Sequence, residues 1–221
     1  MTVAAVILIP EPGLAVAPAD GEPALRRVAQ AAWSGGAIPT IAVTPSPGLE
    51  MREAVADLAL AFAEPSAAEP KGIAWFACGI RAAVAGVAET SAALLWPVVH
   101  VWVDPETVTS LVEAHGAFPD DMIRPAYGGK PGLPILVPAA LERRLASLSG
   151  RHGVEAVEAL AAAGVPLRIV ELGDPGIVHD INTARADLPG YQGPPESASG
   201  PPPDWNEAVS RSIEPRTEPR S

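Results

Sequence analysis

Three polar residues lie where two apolar stretches of the chain end, and their side chains are of the kinds that bind divalent cations. His100 and Asp104 stand at the end of the apolar run 92–103, and Asp180 lies in the later segment 173–183. Carboxylate oxygens are preferred ligands of Mg²⁺, and an imidazole binds softer metals. Asp180, His100 and Asp104 are therefore the candidate metal ligands of this sequence.

Each of these residues also has a simpler structural interpretation. Asp104 precedes Pro105, which is the pattern of a helix N-cap followed by proline at the first helical position. Asp180 is placed to cap a helix that begins near residues 183–184. A lone histidine such as His100 is more often a buried core residue than a ligand. For Asp104 and His100 the structural interpretation is preferred.

A zinc site is not supported by the cysteine and histidine content. Cys78 is the single cysteine, so the chain can form neither an intrachain disulfide nor a cysteine-based zinc site of its own. The four histidines, at positions 100, 115, 152 and 179, show no i, i+4 pairing.

The loop at residues 10–22 follows the first predicted strand, where a phosphate-binding loop would lie. Such a loop needs clustered glycines, whose N–H groups reach the phosphates, and a Lys or Arg that neutralises them. This loop has Gly13 and Gly21, three prolines and no basic residue. We interpret it as a plain connection between a strand and a helix.

The elements that must position these residues alternate between strand-like and helix-like stretches. Strands are predicted at residues 3–9, 38–44, 92–103, 122–126, 134–137 and 167–172, with a hairpin-like turn at 128–132. Helices are predicted at residues 23–33, 51–63, 73–87, 139–148 and 154–163, and one opens after Asp104. This alternation predicts an α/β fold, a mostly parallel, Rossmann-like sheet with helices on both faces. Ligands of such sheets lie beyond the carboxyl ends of the strands, here near segments 10–22, 97–106, 124–134 and 173–183.

The composition limits the class of partner. The chain has 221 residues, is 48% hydrophobic and carries a net charge of −11, which disfavours nucleic acid as a partner. The apolar start at residues 1–9 lacks a basic region and ends at Pro10, so we interpret it as a buried strand rather than a signal peptide or membrane span. We therefore expect a cytoplasmic protein with no membrane partner.

The last part of the chain differs in composition from the rest. Residues 1–192 are predicted to form the α/β domain, and residues 193–221 a proline-rich tail that is extended or disordered. Residues 204–209 interrupt the tail, with Trp205 among them. We prefer the interpretation that Trp205 folds back onto its own domain over the alternative of a peptide that docks on a partner.

Five segments, in order along the chain, resemble the molybdenum cofactor cytidylyl- and guanylyltransferases, which are MobA-like NTP transferases. They are residues 20–25, 72–82, 93–115, 124–136 and 178–188. The fourth holds Arg124-Pro125 and Gly129-Lys130-Pro131-Gly132, similar to the family's Arg-Pro and Gly-His-Pro segment, and the fifth is similar to its Asp-Ile-Asp-Thr segment. The resemblance implies a nucleotidyltransferase fold, with Mg²⁺ as the cofactor of an active member. It makes Gly13, Arg26, Arg124, Lys130 and Gly132 the candidate nucleotide- and phosphate-binding residues.

The chain departs from the family's pattern at the residues that perform the chemistry. The family's first loop carries an Arg and a Lys, and residues 8–14 contain neither. The aspartate of the family's Gly-Asp-Gln-Pro motif, which binds Mg²⁺, falls on Val99, whereas Asp180 matches the second acidic position. Leu133 replaces the histidine of the Gly-His-Pro motif. Mg²⁺ and cations stabilise the transferred phosphoryl group, and the loss of one such group commonly costs ~10²–10³ in rate.

Three functions remain open. The preferred one is a degenerate, non-catalytic protein that acts as a binding or assembly partner of an unknown protein. The resemblance implies molybdoenzyme maturation as its setting. The second is an active cytidylyl- or guanylyltransferase with a rebuilt site, which would bind CTP or GTP and act on a molybdopterin-type acceptor. In that case Asp180 with His100 or Asp104 would hold Mg²⁺, and Arg26, Arg124 or Lys130 would hold the phosphates. The third is a structural protein that associates through a surface containing Trp75, Trp96, Trp102 or Trp205, most of which we expect in the core.

Overall fold

The structure is a computed structural model that describes residues 2–67, 69, 71–148 and 150–193. Its strands in chain order are β1 (Thr2–Leu8), β2 (Pro18–Ala19), β3 (Glu22–Pro23), β4 (Thr40–Val43), β5 (Leu60–Ala63), β6 (Thr90–Pro97), β7 (Met122–Tyr127), β8 (Lys130–Pro131), β9 (Ile135–Pro138) and β10 (Leu167–Glu171). Its helices are α1 (Pro12–Val16), α2 (Ala24–Ser34), α3 (Leu49–Ala54), α4 (Ile73–Gly86), α5 (Pro105–Ala117), α6 (Glu142–Ser147) and α7 (Gly153–Ala162).

One central sheet has the strand order β10-β7-β9-β6-β1-β4-β5, and the short β8 pairs with β7. Strands β5, β4, β1 and β6 run parallel to one another, as do β7 and β10. Strand β9 is antiparallel to both of its neighbours, β6 and β7. The carboxyl ends of the parallel strands therefore meet at one edge of the sheet, which we call the carboxyl edge.

Alternate residues of β1 face opposite sides of this sheet, which creates two hydrophobic layers. Val3, Ala5 and Ile7 pack in a cluster with apolar residues of α2 and α5. Ala4 and Val6 pack on the other side with residues of α4 and α7. Because both faces are covered by helices, β1 is an almost continuous apolar run. The predicted fold class, a mostly parallel α/β sheet, is confirmed.

Two predicted elements were wrong in extent. Residues 51–63 are not one helix: α3 ends at Ala54, and residues 60–63 form the edge strand β5, where pairing with β4 outweighs the helical tendency of an alanine-rich stretch. The strand predicted at 92–103 ends at Pro97. The valines beyond it, at positions 98, 101 and 103, are buried in a loop rather than in a strand.

Smaller differences concern segments and tryptophans. Residues 139–148 begin as a 3-10 turn before α6, and residues 185–187 form a 3-10 turn instead of a longer helix. Trp75 and Trp96 are core residues, whereas Trp33 is 53% exposed. The tail predicted at residues 193–221, with Trp205, lies outside the described residues beyond residue 193. No helix among the described residues is long and apolar enough to cross a membrane.

Candidate functional site

The loop at residues 98–104 leaves β6 at the carboxyl edge and is fixed there by backbone hydrogen bonds. Val98 N–H donates to the Leu8 carbonyl at 3.1 Å, which ties the loop to the end of β1. The Trp96 indole N–H donates to the His100 carbonyl at 2.9 Å. The loop is therefore tied to the sheet's edge at two points.

A second segment, residues 174–185, packs directly on this loop. Ile181 N–H donates to the Val99 carbonyl at 2.8 Å. The Trp102 indole N–H donates to the carbonyls of Asp180, at 2.9 Å, and Thr183, at 3.0 Å. The structure thus brings Val99 next to Asp180, the two positions that the resemblance assigned to metal-binding carboxylates.

Asp174 anchors the start of segment 174–185. Its carboxylate accepts hydrogen bonds from Asp104 N–H at 2.9 Å, from the Thr107 hydroxyl at 2.7 Å and from Gly176 N–H at 2.7 Å. It is 2% exposed, and burial raises the pKa of this carboxyl while the three hydrogen bonds act against the rise. The sequence indicates no role for Asp174 beyond its place in the segment 173–183, because the burial of a carboxylate leaves no local signal in the sequence.

Asp180 and His100 lie near enough at this edge for the carboxylate charge to act on the imidazole. Both Asp180 carboxylate oxygens accept hydrogen bonds from Asn182, from the backbone N–H at 2.9 Å and from the side-chain amide at 3.2 Å. Asp180 therefore forms a local turn rather than a helix cap, which corrects that interpretation. Burial lowers the pKa of His100, and the charge of Asp180 opposes the change. The buried Nδ1 atom of His100 has no hydrogen-bond partner among the described residues.

Asp104 is the N-cap of α5, because its carboxylate accepts a hydrogen bond from Glu106 N–H at 2.9 Å.

The residues at the edge do not fit a divalent cation. An isopropyl group stands at Val99, the Asp180 oxygens are engaged by Asn182, and Asp104 caps a helix. Among the described residues, no group of three or more His, Cys, Asp or Glu side chains could hold a metal ion.

The first loop is more structured than a plain connection. It contains α1 and a two-stranded hairpin, β2–β3, in which Asp20 has a positive φ of 55°. Gly13 lies inside α1 beside residues 48–51 and has no atom within 4 Å of the position of an added Cβ. The structure therefore shows no close backbone approach at Gly13 that would require glycine.

Two candidate phosphate-binding arginines are held in ion pairs. The Arg26 guanidinium binds both Asp57 oxygens, at 2.6 and 2.9 Å, and holds the pKa of that carboxyl at about 2. Arg124 donates to the Gly132 carbonyl at 3.1 Å and lies 3.4 Å from Glu158. Neither side chain is placed with Asp180.

The remaining candidates belong to the turn between β7 and β9. Gly132 is required by close packing, since an added Cβ would lie 2.5 Å from the Ile177 carbonyl oxygen. The backbone N–H groups of Gly128 and Gly129 donate to the Glu171 carboxylate, so a side chain of the protein occupies this potential anion site. Lys130 is exposed on β8.

Sequence reasoning missed a cleft of about 350 Å³ at the carboxyl edge, between the ends of β1 and β6 and the starts of α4 and α7. Most of its lining side chains are apolar, and the polar ones are Lys71 and His152. The lining residues are Leu8, Pro10, Lys71, Gly72, Trp75, Leu95, Pro97, Leu133, His152, Gly153 and Val154. The sequence feature that could have indicated this cleft is Lys71-Gly72, which stands directly before the apolar helix α4.

Residues 15–166 match the family model of the MobA-like NTP transferase domain. No curated protein matches the chain at a significant level. Among solved structures, a nucleotidyl transferase from Methanothermobacter has a TM-score of 0.68 at 19% identity, covering 84% of this chain and 94% of that one.

Two other solved structures show the same fold. A Mycobacterium tuberculosis protein in complex with manganese has a TM-score of 0.61 at 18% identity, covering 78% of this chain and 89% of that one. A CMP:2-keto-3-deoxy-manno-octonic acid synthetase complexed with CTP has a TM-score of 0.60 at 14% identity, covering 78% and 90%. At these identities the likeness concerns the fold.

Proposed function

The chain belongs to the family of MobA-like NTP transferase domains, and from that premise we propose that it is a non-catalytic member that binds a ligand or protein partner at its carboxyl edge. The observation that carries the proposal is the hydrogen bond between Ile181 N–H and the Val99 carbonyl. It joins the backbone of the apolar residue Val99 to the residue after Asp180. A transferase of this family would need carboxylates at both positions, 99 and 180, for its metal.

The electrostatics of the edge support the same conclusion. Nucleotidyl transfer depends on cations that stabilise charge on the reacting phosphate. The loop after β1 has no Lys or Arg, and the ionisable residues of its α1 and hairpin region are Glu11, Asp20 and Glu22. Arg26 and Arg124 are engaged elsewhere. The loss of several such groups, at ~10²–10³ in rate each, leaves turnover near background.

A binding or assembly role in the cytoplasm follows from this proposal, with molybdoenzyme maturation as the setting that the family suggests. The neighbours complexed with CTP and with manganese supply the probes for testing it. The first test measures pyrophosphate release from CTP, GTP and ATP with Mg²⁺ or Mn²⁺ and a molybdopterin acceptor. We expect no release above the rate without protein.

Val99→Asp sharpens this test. The substitution restores one carboxylate but no loop cation, so we expect that it does not restore transfer. Val84→Asp, on the exposed side of α4, is the matched control for the general effect of a new charge. Measurable transfer by wild type or by Val99→Asp, absent without protein, would contradict the proposal.

An active enzyme with a rebuilt site is the alternative, and the proximity of His100 and Asp180 favours it. In that case pyrophosphate release requires a divalent cation, and Asp180→Asn abolishes it. Tight Mg²⁺-dependent binding of one nucleotide in calorimetry would be the accompanying result.

A further inference from the structure

The walls of the 350 Å³ cleft provide apolar contact surface for a hydrocarbon ligand but few hydrogen-bonding groups for a nucleobase. Seven of its eleven lining residues have apolar side chains, including Trp75, Leu95 and Leu133. The Trp75 indole N–H is already bound, to the Glu69 carbonyl at 3.3 Å. The hydrogen-bonding edge of a base would lie against hydrocarbon here, and unpaired polar atoms weaken binding. The cleft therefore favours a ligand whose buried part is hydrocarbon.

Lys71 gives this cleft a charged end. It is one of two lysines in the chain, it is exposed, and it makes no ion pair with any described residue. The nearby Glu69 carboxylate is directed to Arg81, at 3.0 Å, and to Ser66 N–H. The ammonium group of Lys71 is therefore available to a ligand.

The start of α4 lies at the same wall, and one of its N–H groups is already bound, since Ile73 N–H donates to the Arg151 carbonyl at 3.2 Å. Its N-cap is Gly72, which provides no side-chain cap, and its first turn has no acidic residue. The partial positive charge of this helix end is thus not offset by a carboxylate of its own first turn. At the other wall, Glu155 closes a capping box with His152 at the start of α7.

We propose that this cleft binds a small apolar monocarboxylate, such as a medium-chain fatty acid. Its hydrocarbon part lies against Leu8, Leu133 and Val154, which are half-buried side chains of the lining, and its carboxylate lies beside Lys71. The volume is at the lower end of the range of about 300–1,000 Å³ typical of small-molecule sites. This inference rests on the proposed binding role and names the ligand class for it.

The test is calorimetric titration of the full chain with octanoate and with octanol, which has the same chain length without the charge. We expect octanoate to bind with a Kd below a millimolar and octanol about tenfold more weakly, the effect of one charge-assisted contact at a partly exposed site. Lys71→Gln should weaken octanoate binding about tenfold and leave octanol unchanged. Arg143→Gln is the matched control, because it removes one positive charge from an exposed residue of α6 that does not line the cleft, and it should change neither affinity.

A second variant tests the apolar walls. Val154→Phe extends a half-buried side chain into the cleft and should weaken octanoate and octanol alike by at least tenfold. Unchanged circular dichroism and melting temperature confirm that the variant is folded. A variant that fails to fold is replaced by Val154→Leu, for which we expect a smaller loss of both ligands.

Three results would overturn the inference: no octanoate binding at millimolar concentration, equal octanoate affinities of wild type and Lys71→Gln, or displacement of bound octanoate by CTP at stoichiometric concentration. Failure of the proposed function has a different signature. Pyrophosphate release refutes the non-catalytic role whether or not octanoate binds, whereas absent octanoate binding without pyrophosphate release refutes the ligand class alone.

Discussion

Four carboxylates near the carboxyl edge accept hydrogen bonds from backbone N–H groups. Asp104 accepts from an N–H at the start of α5, and Asp174 accepts from Gly176 N–H. Asp180 accepts from Asn182 N–H, and Glu171 accepts from the turn at residues 128–129. A carboxylate that satisfies backbone donors has fewer lone pairs for a cation. At the scale of single residues, the two candidate metal ligands Asp104 and Asp180 therefore have the same structural role as their acidic neighbours, which is to accept hydrogen bonds from backbone N–H groups of the edge.

Two buried histidines should make stability depend on pH. Burial lowers the pKa values of His100 and His115, so the unfolded chain binds protons more readily than the folded one. Their contribution is fully present above the unfolded pKa of about 6.5 and is lost as pH falls toward the lower folded values. We expect the free energy of unfolding in urea to decrease between pH 7 and pH 5, with a smaller decrease in His100→Gln and in His115→Gln.

His152→Gln is the control for this prediction, since it replaces an exposed histidine. Asp174 acts in the opposite direction, because its raised pKa makes the folded state bind the proton first, and stability then falls as pH rises through its window. Comparison of each variant with wild type cancels that contribution. Identical pH slopes in wild type and both buried-histidine variants would show that neither imidazole is linked to folding.

At the scale of elements, the contact between loop 98–104 and segment 174–185 depends on one glycine. A Cβ at Gly176 would collide with the Trp102 carbonyl, which is fixed backbone. We therefore expect Gly176→Ala to lower the free energy of unfolding by about 2 kcal/mol or more, as overpacking of a tight site does. Denaturation followed by tryptophan fluorescence measures this, because the Trp102 indole is held by carbonyls of the same segment.

Gly190→Ala is the matched control. No atom lies within 4 Å of a Cβ added there, and its φ is not in the left-handed region. We expect a change below about 0.5 kcal/mol, the usual size for an unconstrained surface site. Equal free energies of unfolding for Gly176→Ala and Gly190→Ala would show that the segment accommodates the added Cβ at residue 176 with no loss of stability.

The elements with strong local signals were predictable from the sequence. The apolar run of β1, the helix α4 and the capped start of α5 at Asp104-Pro105 are all present as predicted. The strand β5 was not predictable, because Leu60–Ala63 become a strand only by pairing with β4. The buried valines of loop 98–104 were predicted to belong to a strand, because burial by tertiary packing leaves the same apolar sequence pattern as a central strand.

The candidate site was predictable in part, for the same reason. The resemblance paired Val99 with Asp180, and the structure joins the backbone of Val99 to that of Ile181, the residue after Asp180. The ion pair of Arg26 with Asp57 and the packing of Gly132 on Ile177 join residues far apart in the chain, so no local pattern shows them. The apolar cleft is likewise assembled from four separate elements.

At the scale of the whole molecule, the net charge opposes the binding of a triphosphate. The net charge is −11, and the loop after β1 adds acids where triphosphate binding requires cations. Raising the salt concentration from about 10 mM to about 0.1 M shortens the Debye length from about 30 Å to about 10 Å and screens such repulsion. Salt should therefore weaken the binding of CTP to a cationic site but not to this protein.

We expect that the Kd of the protein for CTP is millimolar or weaker and does not increase over this range of NaCl, measured by calorimetry without divalent cations. Choline chloride, which matches the ionic strength with a different cation, is the control for specific effects of Na⁺. A Kd that rises steeply with salt would show that arginines or lysines neutralise the phosphates. Lys71 and Lys130 make no ion pair with any described residue, whereas Arg26 and Arg124 would have to open theirs to bind phosphate. Substitution of each of these four residues by Gln would identify the cation responsible.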